Sequence, residues 1–455
     1  MHLQSIQDYA HDGDRTFCPM RLIPGRMSSD MIEHISTPPG VILVGVRHRE
    51  MTVSEAQQHV AELARLVDTL GYAVLDTKVL RGSTPNPGLF IGSGQAEELA
   101  RLADDLEAEA LIFDDELSPS QQRNLERRTR VAVSDRHEII LEIFHEHAVT
   151  REARLQVEKA ELAYQLPRLR RAWTHLSRQR GGAKGTRGEG ETQLEIDRRR
   201  ITARQQQLER ELTEVRRHRS TMRQKREAVP VPTLALVGYT NAGKSSLMTA
   251  LTGKKVLRQD KLFATLDPKS SRMVLPGGVE VIVTDTVGFI RKLPHDLVEA
   301  FRSTLEETIR ADILLHVVDA SSPQAGDEAA TTRAVLSEIG ADTASIVVVL
   351  NKMDLLGYDR ESIARASVHV AGVDSGIPVS SLTGAGIDDL RARVAELVTS
   401  SRVEADLVIP PDRWDLVAML HREGRVITEV MEQENVHVRA ELGGRLRQVL
   451  AEFVV

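Results

Sequence analysis

The chain has 455 residues, 41% of them hydrophobic and 27% charged, with a formal net charge of −7. That length exceeds what one core supports and predicts two to four domains of ordinary globular composition. A single cysteine, Cys18, excludes an internal disulfide, no Cys/His spacing fits zinc, and 3% aromatic residues exclude base stacking as the main means of nucleic-acid recognition.

The amino terminus MHLQSIQDYAHDGDR has no cationic start followed by an apolar run, so no secretory signal is expected. No apolar run approaches the roughly 20 residues of a membrane span, and a reducing cytoplasm is the expected compartment. Residues 1–35 lack pattern and read as a mobile extension. From Val41 the chain alternates β-rich and helical stretches: VILVGV, a helix from Val53 to Leu70, YAVLDTKVL, a helix from Ala96 to Leu106, ALIFDD, a polar helix from Pro119, and VAVSD. This alternation predicts a parallel α/β domain over residues 36–148.

The pattern then changes period. Leu155, Leu162, Leu169 and Leu176 recur every seven residues, as do Leu194, Ile201, Leu208, Val215 and Met222. Two heptad helices joined by a loop predict an antiparallel helical hairpin over residues 149–228, with a kink or break at Pro167. The hairpin carries 21 Lys/Arg against 11 Asp/Glu, so it is a basic arm on an acidic body. Its tip, residues 178–193, lies in LSRQRGGAKGTRGEGETQLE. Such a stretch serves as a flexible linker, a phosphate cradle or a probe; heptads on both sides favour a hairpin tip, since glycine-rich linkers usually join domains.

VPVP at 229–232 opens a second α/β domain, residues 229–402. In TLALVGYTNAGKSSLMTALTG, an apolar strand leads into a glycine loop and then a helix, the spacing and context of a P-loop. Backbone groups of Gly238, Tyr239, Thr240, Asn241, Ala242, Gly243 and Ser246 would cradle phosphates, Lys244 would reach the β and γ groups, and Ser245 would bind Mg²⁺. VEVIVTDTVGF puts Asp285 at a strand end, where it can hold Mg²⁺ through water, and Gly288 where its N–H meets the γ-phosphate. Thr265 in FATLDP is a candidate switch residue and Mg²⁺ ligand.

SIVVVLNKMDLL gives Asn351, Lys352 and Asp354 after another strand. A carboxylate there accepts from guanine N1–H and the 2-amino group, which adenine cannot offer, so the nucleotide is GTP or GDP. IPVSSLTGAG supplies Ser380, Ser381 and Leu382 to close over the base; Ras-like GTPases usually have alanine at the place of Ser381. Phe289, a second candidate switch residue, stands where Ras-type enzymes place the glutamine that orients water, so turnover alone is expected to be slow and accelerated by a partner. Asn241 resembles the asparagine of potassium-dependent GTPases, which makes K⁺ a candidate second cation. The last 53 residues, 403–455, read as strand, helix, strand, strand and a final helix, a small α/β domain.

TREARLQVEKAELAYQLPRLR, LSRQRGGAKGTRGEGETQLEIDRRRI, GYTNAGKSSLMTAL, DTVGFIRKLPHDLVEAFRSTLEE and NKMD together resemble the HflX family of bacterial GTPases, over roughly residues 40 to 455. The resemblance implies an amino-terminal α/β domain with a helical hairpin, a Ras-like G domain and a small carboxy-terminal domain. It also implies a monomer that binds the large ribosomal subunit, inserts its glycine-rich loop toward the peptidyl-transferase centre and splits stalled ribosomes, with ribosome-stimulated GTP hydrolysis. Arg178, Arg180, Gly181, Gly182, Lys184 and Arg187 would then meet rRNA at the tip, and Arg198, Arg199 and Arg200 would grip the cavity rim. The alternatives are an assembly or quiescence GTPase that binds the large subunit without splitting, and a GTP-regulated interaction module. Two departures stand out. FIGSGQAEEL has Gln95 where the family commonly has lysine, which removes a phosphate partner, and Ala183, Lys184 and Glu189 replace residues commonly Ile, Gly and Pro.

Overall fold

The computed structural model describes residues 38–82, 86–169, 187–226, 231–253, 262–263, 266, 269–293, 307–341, 345–370, 376–400, 403–423, 425–432, 435–442 and 450–455. The expected amino-terminal extension and most of the glycine-rich tip lie outside them. The chain divides into two compact units, one ending at Glu142 and one beginning at Ile143.

In the first unit four parallel strands, β1 (Gly40–Arg47), β2 (Ala73–Arg81), β3 (Ala110–Phe113) and β4 (Ala132–Asp135), form a sheet in the order β2-β1-β3-β4. The central strands are buried runs such as ALIF, as a sheet covered on both faces requires. Helices α1 (Val53–Thr69), α2 (Ser93–Asp105) and α3 (Pro119–Thr129) connect them. Thr52 and Glu55 start α1 with a reciprocal capping box. Gly45 is small because α1 lies close: a Cβ there would stand 2.3 Å from Val60 Cγ2.

A fourth helix, α4 (Arg136–His147), follows VAVSD inside the domain expected over residues 36–148, where the sequence reading named no helix. Asp135 caps it by accepting from Glu138 N–H at 3.0 Å. Its signal was present in the helical spacing of Ile139, Ile140, Ile143 and Phe144, all fully buried. Gln95 has a structural duty at the start of α2. Its side-chain oxygen accepts from Gly92 N–H at 2.9 Å, and its amide donates to the Arg81 carbonyl at 3.0 Å.

The second unit contains the hairpin. Helices α5 (Arg151–Leu169) and α6 (Arg187–Arg226) meet along the heptad seam, where Leu155, Leu162, Ile201, Leu208 and Leu212 form a buried cluster. Arg204 grips Glu158 with two hydrogen bonds of 2.7 and 2.8 Å, and Lys159 reaches Glu209 at 3.3 Å, fixing the pairing. Of the kink or break expected at Pro167, a break does not occur: α5 carries the proline inside it and is described to Leu169. Beside it Arg168 folds back, donating to the Tyr164 carbonyl at 3.1 Å and lying 3.4 Å from the centre of its ring.

After the hairpin comes a six-stranded sheet built from β5 (Thr233–Gly238), β6 (Lys269–Val274), β7 (Glu280–Asp285), β8 (Ile313–Asp319), β9 (Ser345–Asn351) and β10 (Ile377–Pro378), in the order β10-β9-β8-β5-β7-β6. Only the β6–β7 pairing is antiparallel. Helices α7 (Lys244–Thr252), α8 (Ala325–Glu338), α9 (Arg360–His369) and α10 (Ile387–Ser400) accompany it, a Ras-like layered domain. Leu234, Leu236, Leu315 and Val317 join Leu247 and Leu251 of α7 in its main core. The carboxyl ends of β5, β7, β9 and β10 all open on one edge, where open α/β sheets hold ligands.

The carboxy-terminal segment forms an antiparallel sheet, β11 (Val403–Ile409), β13 (Asn435–Leu442) and β12 (Arg425–Glu432) in that spatial order, with α11 (Trp414–Glu423) in its core. The final helix expected from sequence is, in its described part, only a 3₁₀ turn at Ala451–Phe453. Val454 bridges to Leu407 on β11 just after it, and this extended pairing ends the turn.

Candidate active site

β5 delivers the glycine loop at its carboxyl end. Gly238 has φ +151° and a Cβ there would stand 2.2 Å from the Val317 carbonyl oxygen, so no other residue fits. Asn241 at φ +60° and Gly243 at φ +91° turn the backbone again, curling its N–H groups into a nest ahead of α7. Lys244 begins that helix, buried, with Nζ donating to the carbonyls of Gly238 at 3.1 Å and Tyr239 at 2.8 Å. Burial pulls its ammonium down from 10.5 to about 8, against the opposing pull of Asp285. Ser245 donates its hydroxyl to Asp285 Oδ2 at 2.6 Å, bringing two expected metal ligands together.

The segment after β7 is zipped onto the loop. Thr240 N–H donates to the Phe289 carbonyl at 2.7 Å, Phe289 N–H donates to the Gly238 carbonyl at 3.1 Å, and Arg291 N–H donates to the Tyr239 hydroxyl at 2.8 Å. Gly288 sits so close that a Cβ would lie 2.9 Å from Thr240 Cα and 3.0 Å from Lys244 Nζ. The side chain of Phe289 points away from all of this, into a core with Ala235, Val237, Leu314 and Leu336. It is a packing residue here, with no group that could orient water.

The residues expected to meet guanine take different roles in the fold. Asn351 donates from Nδ2 to the Ala242 carbonyl at 2.8 Å, and its Oδ1 accepts from Ser381 N–H at 3.0 Å and from the Ser381 hydroxyl at 2.9 Å. Ser381 thus earns its place over alanine by tying the Asn351 amide. Among the described residues the buried Oδ1 of Asp354 has no hydrogen-bond partner, so it is available as an acceptor. Ser380 turns inward instead, its hydroxyl accepting from Thr383 N–H at 3.1 Å, while Leu382 is exposed at the surface of the loop. Lys352, at φ +62°, donates to Asp319 Oδ2 at 2.6 Å. Asp319 was not anticipated; its signal was an aspartate ending strand HVVD, the same position Asp285 takes in its own strand.

Thr265, Arg178, Arg180, Gly181, Gly182 and Lys184 lie outside the described residues, and Arg187 is described only as the first residue of α6. Arg198, Arg199 and Arg200 are exposed on α6. Arg199 pairs with Glu195 at 3.0 Å and Arg200 with Asp197 at 3.7 Å, contacts weak enough to exchange for other anions.

A hydroxyl and a carboxylate within hydrogen-bond reach form a hard, all-oxygen donor set, which suits Mg²⁺ completed by phosphate oxygens. Among the described residues no group of three His, Cys, Asp or Glu is placed to hold a metal ion. Among them, too, no helix is long and apolar enough to cross a membrane.

Comparison with known proteins fits this geometry. Residues 57–145 match the family described as GTP-binding GTPase N-terminal, residues 147–226 the GTP-binding GTPase Middle Region, and residues 233–352 the 50S ribosome-binding GTPase family. The chain is 44% identical over 422 residues to the GTPase HflX of Akkermansia muciniphila, covering 91% of this chain and 96% of that one. It is 40% identical over 389 residues to the GTPase HflX of Escherichia coli strain K12, covering 85% and 90%. A GTP-binding protein of the archaeon Sulfolobus solfataricus in complex with GDP aligns at 24% identity and a TM-score of 0.43, over 80% of this chain and 99% of that one. With a P-loop, a DxxG segment and an NKxD corner assembled on one sheet edge, and relatives matching over nearly their whole length, the chain belongs to the HflX family of GTPases and hydrolyses GTP.

Proposed function

We propose that this GTPase acts on the large ribosomal subunit, splitting stalled or stress-inactivated ribosomes by inserting the glycine- and arginine-rich tip of its hairpin toward the peptidyl-transferase centre. The observation that carries the reading is the arm. α6 alone has 40 residues, roughly 60 Å at 1.5 Å per residue, against 19 described residues of α5. An acidic body resists nonspecific RNA binding, so the basic arm selects the docking site. The ribosome-binding description of the family matching residues 233–352 supports the same partner. We read the chain as a cytoplasmic monomer, one arm entering one cavity.

In this reading Lys244 and the loop N–H groups hold the triphosphate, Gly288 N–H reads its γ group, and Asp354 selects guanine. Ser245 and Asp285, with Thr265, would hold Mg²⁺, which neutralises charge on the β and γ oxygens; Asn241, exposed at the loop crest, is the candidate K⁺ contact. Because Phe289 cannot orient water, turnover is slow until the ribosome completes the site.

The test compares GTP hydrolysis by the protein alone and with purified large subunits, and repeats both after residues 181–190 are replaced by a short neutral turn. Stimulation that the replacement abolishes is expected. No stimulation of the unaltered protein would overturn the ribosomal reading. A density gradient of intact ribosomes with protein and GTP then separates splitting from mere binding: free subunits are expected, and co-sedimentation alone would favour an assembly or quiescence role.

A further inference from the structure

The turn that carries Asp354 also carries Tyr358, which the NKxD motif alone does not single out. Met353–Leu355 form a 3₁₀ turn, Gly357 redirects the chain at φ +96°, and Asp359 accepts from Ser362 N–H at 2.8 Å to start α9. Tyr358 is thus held between two fixed points. Its hydroxyl donates to the Ala385 carbonyl at 3.1 Å, reaching across 27 positions of chain. Partial burial, with the Asp354 carboxylate adding to it, pushes this phenol up to about 12, so it keeps its proton and stays a donor.

Ala385 ends the loop expected to close over the base. Its carbonyl also accepts from Ser380 N–H at 2.9 Å, so two donors meet on the atom that closes the loop. Inside the loop, Ser381 N–H goes to Asn351, Thr383 N–H to the Ser380 hydroxyl, Gly384 N–H to the Ser380 carbonyl and Ala385 N–H to the Thr383 hydroxyl. Among the described residues Leu382 N–H has no partner, which leaves it available to an outside acceptor. Guanine carries such an acceptor in its 6-oxo oxygen, where adenine carries a donor amino group. We propose that Tyr358 is a specificity-determining positioning residue: its bond to the Ala385 carbonyl fixes the Ser380–Ala385 loop against the turn of Asp354, so that loop amide and carboxylate keep the spacing of a single guanine. The proposal rests on the base site described above. A loop held in this way discriminates because a donor amide left facing the adenine amino group would be unpaired.

The test is Tyr358→Phe in the full chain, which removes the hydroxyl alone. GDP affinity by calorimetry is expected to fall about threefold, the lower range for one neutral hydrogen bond because water reaches this side chain. KM for GTP should rise by the same factor while kcat stays within about 1.5-fold, the split expected for a group that acts on binding. Inosine diphosphate keeps the 6-oxo group and lacks the 2-amino group that Asp354 would read, so it should weaken by the same factor as GDP. Unchanged GDP affinity, or a fall in kcat beyond about twofold, would overturn the proposal. So would a loss for GDP that inosine diphosphate does not share, because the hydroxyl would then act through Asp354 and not through the loop. An unaltered chain that binds ADP as tightly as GDP would instead overturn the base site itself, and the proposal with it.

Discussion

Ser381 donates twice to one atom of Asn351: its N–H at 3.0 Å and its hydroxyl at 2.9 Å both end on Oδ1, while Asn351 Nδ2 passes on to the Ala242 carbonyl at 2.8 Å. The base-side loop, the end of β9 and the phosphate loop are therefore linked through one amide. Ser381→Ala removes the hydroxyl bond and keeps the backbone one, a loss of about 1 kcal/mol, or roughly fivefold weaker GDP binding by calorimetry. Asn351→Ala removes all three bonds and should cost more than tenfold. Unaltered affinity in Ser381→Ala would show the link to be idle.

In the proposed reading Asp354 selects which base is accepted. Its buried Oδ1, without a partner among the described residues, is suited to receive the N1–H and 2-amino donors of guanine. In Asp354→Asn one acceptor becomes a donor, which clashes with guanine and suits the 2-oxo group of xanthine. GDP affinity is expected to fall about 100-fold, the loss of charge-assisted bonds, and xanthosine diphosphate to become the better ligand. Equal loss for both nucleotides would mean that the carboxylate serves the fold and not the base.

The order of elements was readable because alternation, heptads and the glycine loop are local patterns. TLALVG followed by GYTNAGKSS specifies strand, loop and helix without help from distant residues, and the seam of Leu155, Leu162, Ile201 and Leu208 formed as its spacing required. What escaped the sequence depended on tertiary partners. The roles of Asp319, which anchors Lys352 across 33 residues, and of Gln95, which caps α2 and reaches Arg81, exist only after folding. Phe289 shows the same limit: substitution of the usual glutamine said what it could not do, while its core neighbours say what it does. Helix α4 was missed although its apolar spacing was visible, because VAVSD looked like the end of a repeating pattern.

Two buried bases give opposite ends of the pH profile. Lys244 titrates at about 8 in the fold and 10.5 when free, so between those values the unfolded chain holds more protons, and stability rises with pH across that window. Phosphates favour the ammonium, so GDP affinity should fall over the same range. His316, at about 4 in the fold against 6.5, makes stability decline as pH drops from 6.5 toward 4. Urea midpoints measured across pH 4 to 7 should show a flatter acid limb in His316→Leu than in the unaltered chain. Parallel limbs would mean that the imidazole reaches solvent before the chain unfolds.

Arg136 tests the first unit separately. Its guanidinium donates to Glu62 Oε2 and Asp114 Oδ1, each at 2.8 Å, and all three side chains are buried. The contacts join α4 to α1 and to the end of β3, so the charge cluster closes one end of the sheet. Arg136→Met would fill similar volume but leave two carboxylates in a medium that cannot solvate them, an expected loss of about 3–5 kcal/mol. Adding Glu62→Leu and Asp114→Asn to that variant removes the stranded charges, and most of the lost stability should return, because an ion cluster and a well-packed apolar one are often equivalent. Chemical denaturation followed by a probe in residues 38–142 distinguishes the cases. A loss that the added substitutions leave untouched would place the role of Arg136 in packing shape, with its charge incidental.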